Sequence, residues 1–218
     1  MQFNNLPPGV AATESPPVYL TKVASGSSNS NSSLYNFSVT VPGATRAYRT
    51  FWVESWVVGG PIQSASLAGL SITAANNLAN AQWDYFNGHR LNTGASGTKT
   101  LAISTLSSER CAYVLWAAES DLPITFENET VYRTDDYVAY SLSKAYARGD
   151  AVTATAATAS GTWNYSEGGG LTNAFHFPFE GTNNMGGASL SEAGSPGTAT
   201  WGTTGTSYSY ASVTKFTN

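Results

Sequence analysis

Hydrophobic and polar positions alternate along most of this chain, and residues 98–118 show the clearest pattern. Leu101 and Ile103 alternate with small or hydroxyl-bearing residues, which is typical of a strand with one buried face. Residues 112–118 are instead apolar at every position, which predicts a strand at the centre of a sheet with both faces covered. A short turn at residues 106–109 would join the two strands.

The same alternation recurs in the rest of the chain and predicts an antiparallel β-sandwich. Asn76 and Asn77 favour a loop over residues 74–81, and glycine-rich stretches predict exposed loops at 162–170 and 183–197. No segment predicts a helix longer than about two turns, and no repeat with a period of about 20–50 residues is visible. The further strands are predicted at residues 37–41, 46–58, 62–73 (a hairpin turning at Ala68-Gly69), 122–126, 137–142, 150–157, 171–179, 198–201 and 206–216.

The first 33 residues differ in composition from the rest. Two proline pairs and a Ser/Asn-rich run at residues 25–33 predict an extended arm and linker over 1–33, which leaves 34–218 as the sandwich domain. One interpretation is that residues 18–20 add a terminal strand that closes the sandwich. The alternative is an arm that docks on a neighbouring subunit by strand addition. The apolar residues that such an arm would present are Phe3, Leu6, Val10, Val18, Tyr19 and Leu20.

Low charge narrows the classes of partner. Charged residues make up 11% of the 218 residues and the net charge is −4, whereas about a quarter of a typical domain is charged. The chain has no basic run, so we expect no nucleic-acid partner. No apolar run approaches about 20 residues, so we expect no membrane span. The single cysteine, Cys111, lies in the apolar strand and is predicted to be a buried thiol.

The N-terminal residues lack both the positive start and the apolar centre of a secretory signal. A hydroxyl-rich β protein is nevertheless typical of an extracellular setting. Both observations fit a protein that is assembled in the host cytoplasm and leaves the cell on the surface of a virus particle. Without a secretory route, the four Asn-X-Ser/Thr sequons carry little weight; they lie at Asn31, Asn36, Asn128 and Asn164.

The order of the segments resembles a family of jelly-roll-like β-sandwich modules found in bacterial surface proteins and bacteriophage virion proteins. The resemblance is carried by Phe-Ser-Val-Thr-Val-Pro-Gly at 37–43, the long strand opening at Arg46, the hairpin at 64–73, the aromatic strand at 81–86, Ser-Gly-Thr-Lys-Thr-Leu-Ala-Ile at 96–103 and the apolar strand at 111–118. It implies an all-β, antiparallel, jelly-roll-like sandwich. It also implies a binding or structural role, and it supplies no catalytic residues.

Few residues suggest chemistry. Six of the fourteen acids fall between residues 119 and 136, but their spacing fits no calcium loop, and a charged sheet edge is the simpler interpretation. His89 and His176 lie in no catalytic motif. Arg148-Gly149-Asp150 spells an adhesion tripeptide, yet a turn between strands also favours Gly and Asp. The sequence therefore predicts a protein that is not an enzyme and that needs no cofactor and no metal.

Aromatic residues in glycine-rich sequence offer an alternative function. Trp163 and Tyr165 lie in such a stretch, and flat rings bind the faces of sugars as well as protein surfaces. These two residues would serve a carbohydrate-binding module of a tail fibre or surface adhesin that recognises a host glycan. A polysaccharide depolymerase is a third hypothesis, since two carboxylates at a suitable separation suffice for glycoside hydrolysis.

The first hypothesis is a bacteriophage capsid decoration, or cement, protein that stabilises the head. Its partners would be major capsid protein subunits, bound through many weak and repeated contacts. Because closed cyclic oligomers can match the local symmetry of a shell, we expect a homotrimer.

Overall fold

The computed structural model describes residues 15–79, 83–91, 95–106, 110–133, 140–160, 171–180, 183–203 and 207–218. These residues form sixteen β-strands and, within the ranges just given, no helix. The first nine strands are β1 (Tyr19–Ser28), β2 (Leu34–Val41), β3 (Tyr48–Val58), β4 (Ile62–Leu67), β5 (Leu70–Ser71), β6 (Thr73–Ala79), β7 (Trp83–Leu91), β8 (Gly97–Thr105) and β9 (Arg110–Ser120). The others are β10 (Thr125–Arg133), β11 (Tyr140–Tyr146), β12 (Ala151–Ser160), β13 (Thr172–Glu180), β14 (Asn183–Leu190), β15 (Gly197–Thr203) and β16 (Ser207–Thr217). The all-β prediction is confirmed.

The strands form four antiparallel sheets. Sheet A has the order β1-β9-β3-β7-β6 and sheet B the order β2-β8-β4-β5. Sheet C has the order β10-β16-β12-β14-β13, and sheet D pairs β11 with β15. The strands of sheets A and B all lie before residue 121, and those of sheets C and D all lie after it. The range 34–218 was predicted to form one sandwich, but it contains most of one sandwich and the whole of a second.

Both halves wind in the same nested order. In the first half the first strand pairs with the last, β1 with β9, and the second with the last but one, β2 with β8. The second half repeats this with β10 and β16, and with β11 and β15. The next strand inward, β3 or β12, then lies beside the last strand of its half. The two halves of the chain thus share one topology. The repeat is about half the chain long, which is far longer than a period of about 20–50 residues.

Three buried clusters show that the sheets stack in the order B, A, C, D. One face of sheet A packs on sheet B through residues such as Val53, Leu101 and Leu115. Its other face packs on sheet C, where Trp52 meets Phe216. The far face of sheet C packs on sheet D around Trp201. Sheets A and C are therefore covered on both faces.

The prediction for residues 112–118 is confirmed, because every position of β9 from Cys111 to Ser120 is buried. The prediction that β8 and β9 form a hairpin is wrong. Strand β8 lies in sheet B and β9 in sheet A, so the chain crosses from one layer to the other between them. Each strand finds its partners at long range: β8 pairs with β2 and β4, and β9 with β1 and β3.

Two predicted loops are strands. Residues 73–79 form edge strand β6, where Asn76 bonds to Asn87 and Asn128 and Asn77 donates to the carbonyl of Ile62. Residues 183–190 form β14 between β12 and β13. Its glycines serve packing: a Cβ at Gly187 would lie 2.5 Å from the carbonyl oxygen of Ala154. Tertiary contacts therefore override the local preferences of asparagine and glycine here.

The N-terminal segment is built into the fold from residue 18 onward. Strand β1 pairs along most of its length with β9, and Val18 and Leu20 are buried in the cluster between sheets A and C. The amide of Val18 donates to the carbonyl of Gly149, which ties this segment to the second half. The predicted arm and linker over 1–33 therefore needs correction at residues 19–28, while residues 1–14 lie outside the described part of the chain. Residues 19–28 form a sheet strand because the backbone of β9 is buried and its amides and carbonyls need hydrogen-bond partners along both edges. Strand β1 supplies them on one edge and β3 on the other.

The hairpin predicted at residues 62–73 is present, although its second strand, β5, contains only Leu70 and Ser71. Its turn places Ala68 at φ 55° and Gly69 at φ 76°. Positive φ at both central residues is the geometry of the tight turns that match strand twist.

Candidate functional site

The outward-pointing described residues on the outer face of sheet B are uncharged, and we call this surface the hydroxyl face. Alternate residues of β2 and β8 point away from the core and are mostly exposed, while those between them are mostly buried. The outward residues bear hydroxyl, amide, methyl or isobutyl groups, and none is charged. They are Leu34, Asn36, Ser38, Thr40, Ser64, Ser66, Ser71, Thr98, Thr100, Ala102, Ser104 and Leu106.

Two leucines lie on the margin of the hydroxyl face. Leu34 and Leu106 expose 50% and 65% of their surface. They lie at the same end, because Leu34 pairs with Ser104 and the amide of Thr105 donates to the carbonyl of Ser33. The face is therefore neutral, with apolar groups at one end.

Burying a neutral face is less costly than burying a charged one. A charged side chain removed from water must find a partner, whereas hydroxyl and methyl groups carry a much smaller desolvation penalty. The sequence alone does not reveal this face. Its signal was the Ser/Thr alternation at 38–40 and 98–104, which identified the strands but not the sheet that aligns them.

The predicted arm residues divide into two groups. Phe3, Leu6 and Val10 lie outside the described residues. Val18 and Leu20 are buried against the chain's own sheets, and Tyr19 is half-buried, with the guanidinium carbon of Arg46 4.4 Å from its ring centre. Val18, Tyr19 and Leu20 therefore stabilise the fold in this structure and do not form an outward apolar surface.

The predicted glycan residues, Trp163 and Tyr165, also lie outside the described residues. Other aromatic residues that stand beside loop-rich sequence prove to be internal. Tyr85, Phe86 and Trp201 are all at most 2% exposed.

The acidic segment does not converge on one point in the described part of the chain. Glu119 accepts from the backbone amide of Thr45 and lies 3.5 Å from the Arg49 guanidinium. Asp121 pairs with Arg46 at 2.9 Å. Glu127, on edge strand β10, pairs with Lys144 at 3.0 Å and with Lys215 at 3.3 Å, and these contacts lower its pKa. Each acid stabilises a different part of the sheet margins.

The tripeptide at residues 148–150 forms a structural turn. The carboxylate of Asp150 accepts from the amide of Ala147 at 2.7 Å, and Gly149 has φ 86°. The amide of Gly149 donates to the carbonyl of Ala193, which fixes the turn against the following loop. The local preferences of Gly and Asp account for this turn.

Neither His89 nor Cys111 is placed for catalysis. The His89 ring lies 4.5 Å from that of Phe126, and burial lowers its pKa. Cys111 is fully buried between sheets A and B, and burial raises the pKa of its thiol. The side chain of His176 lies outside the described residues.

A second polar region lies between sheets A and C. Its residues are far apart in the sequence, so the sequence alone does not reveal it. The amide nitrogen of Asn128 donates to the hydroxyls of Ser212 and Thr214, both at 2.8 Å. Asn87 donates to the hydroxyl of Tyr85 at 2.6 Å. Asn128 belongs to one of the sequons, but its amide is held in this network and faces sheet A. Across the interface, the side-chain oxygen of Asn128 accepts from Asn76 at 2.6 Å and from Asn87 at 3.2 Å. These polar groups therefore fix how the two halves align.

Glu54 is the ionisable group of this interface. It is fully buried on β3, and its Oε1 accepts from the Trp52 indole at 2.7 Å. Burial raises the pKa of Glu54 to about 7, although the Trp52 indole and the hydroxyls of Thr155 and Tyr85 oppose this effect. A single acidic residue between Trp52-Val53 and Ser55-Trp56, in the middle of a predicted strand, was the available sequence signal.

Comparison with protein-family models finds no match for this chain, and comparison with curated proteins finds none either. Among the described residues, no helix has the length and apolarity needed to cross a membrane. The same part of the chain holds no group of three or more His, Cys, Asp or Glu side chains that could bind a metal ion.

Proposed function

We propose that this chain is a non-enzymatic structural protein of a bacteriophage virion, where it decorates the capsid and stabilises the head. The observation that carries the proposal is the hydroxyl face, a wide neutral surface on one end of the stack. Interface cores are depleted in charged residues, so this face is suited to cover a neighbouring shell subunit.

The sheet architecture supports the same proposal. We infer that the nested strand order makes each half a jelly roll, an arrangement that viral capsid domains use and that lectins share. In the described part of the chain, the buried charged pair of Arg49 and Glu119 holds loops and strand ends together. These charged side chains thus stabilise the fold, and the hydroxyl face stays neutral.

The capsid contact in this proposal is the hydroxyl face and not the arm. Residues 18–20 are committed to the chain's own sheets. The trimer remains a prediction, to be measured by light scattering of the purified chain. The carbohydrate-binding alternative also remains a prediction, because no described residue favours it.

A co-sedimentation assay tests the proposal with capsids assembled from the major capsid protein encoded in the same genome. Thr100 is exposed on β8, within the hydroxyl face, and Thr98, Ala102, Ser38 and Ser66 are its neighbours. We expect Thr100→Lys to weaken binding by at least about tenfold, because the contact would bury an unpaired charge.

The matched control is Thr198→Lys, which places the same charge on the exposed face of sheet D at the opposite end of the stack. Retained binding by this control would support the proposal. If the wild-type chain does not sediment with the capsids, or if both variants bind as well as the wild type, the proposal is wrong. Far-ultraviolet circular dichroism of both variants checks that the strands remain folded.

A further inference from the structure

We propose that the protonation state of Glu54 sets how strongly the interface between the two sandwiches stabilises the fold. Glu54 lies at the middle of β3, on the face of sheet A that meets sheet C. Its neighbours along that face are Trp52 and Trp56, both fully buried. This inference is independent of the proposed function.

The carboxylate of Glu54 is only half satisfied. Oε1 accepts from Trp52, but Oε2 is buried and has no hydrogen bond. A protonated carboxyl can donate from the second oxygen, and the hydroxyls of Thr155 and Tyr85 are close enough to influence it. Protonation therefore turns an unpartnered acceptor into a potential donor and removes a buried charge.

No cation faces Glu54 from the described side chains packed around it. On the same face, β7 presents Tyr85, Asn87 and His89, while β9 presents Ala112, Val114 and Trp116. From sheet C, β12 presents Thr153 and Thr155, β14 presents Met185, and β16 presents Tyr210 and Ser212. The titratable groups among these are Tyr85, Tyr210 and His89.

The described lysines nearest this interface have other partners. Lys22 lies over the ring of Phe175 at 4.4 Å, and Lys215 pairs with Glu127 on the opposite face of sheet C. Among the described residues, ionised Glu54 thus has no lysine or arginine as a counter-ion, and both burial and the Glu54 charge raise the pKa of Tyr85. An unpaired buried charge is relieved by protonation or by separation of the layers that enclose it.

The sign of the pH effect follows from the direction of the shift. Below the ordinary glutamate pKa of about 4.3, Glu54 is protonated in both folded and unfolded chains. As the pH rises toward 7, the unfolded chain releases this proton while the folded chain retains it. Stability therefore falls across this window and levels off above it. We expect the unfolding equilibrium constant to increase roughly a hundredfold between pH 5 and pH 8 from this residue alone.

The test compares denaturant unfolding of the wild type and Glu54→Gln at pH 5 and pH 8. Glutamine keeps an acceptor for Trp52 and supplies a neutral donor at the second position. We expect the wild type to lose stability at pH 8 and Glu54→Gln to lose much less. Glu127→Gln is the control: its carboxyl is exposed with a lowered pKa, so this variant should keep the wild-type pH dependence.

Burial lowers the pKa of His89, so its effect on stability has the opposite sign, and Glu54→Gln retains it. An equal loss of stability in the wild type and Glu54→Gln would overturn the proposal. If Glu54→Gln does not fold, infrared spectroscopy of the wild type decides. A protonated carboxyl band at pH 6 that disappears by pH 9 supports the proposal, and absence of the band at pH 6 overturns it.

Discussion

The two faces of sheet A differ in chemistry although the same strands build both. The face toward sheet B is mainly apolar, with Val53 and Leu115 packed against Leu101 and Ile103. Its buried polar side chains include Ser55 and, at one end, the charged pair of Arg49 and Glu119. The face toward sheet C combines large aromatic rings with buried polar groups, including Glu54, Asn87 and Ser212. The first is the core of one sandwich, and the second is the interface between two.

This difference shows that two kinds of force align the layers. Apolar packing between sheets A and B is stabilising but directs few specific contacts. Between sheets A and C, hydrogen bonds such as those that Asn76 and Asn87 donate to the side-chain oxygen of Asn128 select one alignment, because any other leaves buried groups unpaired. Aromatic contacts add to this, since the rings of Tyr85 and Tyr210 lie 3.8 Å apart.

The largest expected effect comes from truncating the aromatic side of β9. Trp116→Ala removes a fully buried indole that lies 5.7 Å from the ring of Phe175 in sheet C. We expect a loss of about 3–5 kcal/mol in the free energy of unfolding, measured by denaturant titration. Leu115→Ala, one residue earlier on the opposite face, should cost about 2–5 kcal/mol. A cost below about 1 kcal/mol for Trp116→Ala would contradict the packing of sheet C on sheet A.

A glycine in sheet C tests how closely its strands pack. The added methyl group of Gly187→Ala would lie 2.5 Å from the Ala154 carbonyl oxygen and 2.9 Å from the Phe175 ring. We expect a loss of about 1–3 kcal/mol in unfolding free energy. Gly194→Ala is the control, because no atom lies within 4 Å of the added methyl group. Equal stability of the two variants would disagree with this packing of β14.

Two near-isosteric exchanges compare the interfaces directly. Val53→Thr places a hydroxyl in the apolar core toward sheet B and should cost about 1–3 kcal/mol. Thr153→Val, in sheet C facing sheet A, removes a buried hydroxyl that has no hydrogen bond. We expect Thr153→Val to be neutral or stabilising, as measured by melting temperature and denaturant midpoint. Similar losses from both exchanges would remove the distinction between the two faces.

The smallest expected effect concerns the hairpin of sheet B, which has no counterpart among the two strands of sheet D. Ala68 has φ 55°, in the left-handed region that costs a non-glycine residue about 1–2 kcal/mol. After the entropy that glycine loses on folding, Ala68→Gly should stabilise the chain by about 0.5–1 kcal/mol. Gly69→Ala should do the reverse, because Gly69 has φ 76°. A lower melting temperature for Ala68→Gly would contradict the turn geometry.

Much of the secondary structure could be predicted from the sequence, because a strand with one or two buried faces leaves its period in the residues. The alternation at residues 98–105 and the apolar run at 111–118 correspond to β8 and β9. The turn at Ala68-Gly69 was also visible, since few residues adopt positive φ. These features are local, so local sequence determined them.

The tertiary structure alone decided which strands became neighbours. Nothing local in residues 98–118 shows that β8 and β9 belong to different sheets, because that depends on partners as distant as β1 and β2. The strand at residues 183–190 could not be predicted for a related reason. Its glycines locally favour a loop, and the segment is a strand because it pairs with β12 on one edge and β13 on the other. The hydroxyl face and the environment of Glu54 likewise exist only once the sheets align, because burial and charge pairing depend on residues far apart in the chain.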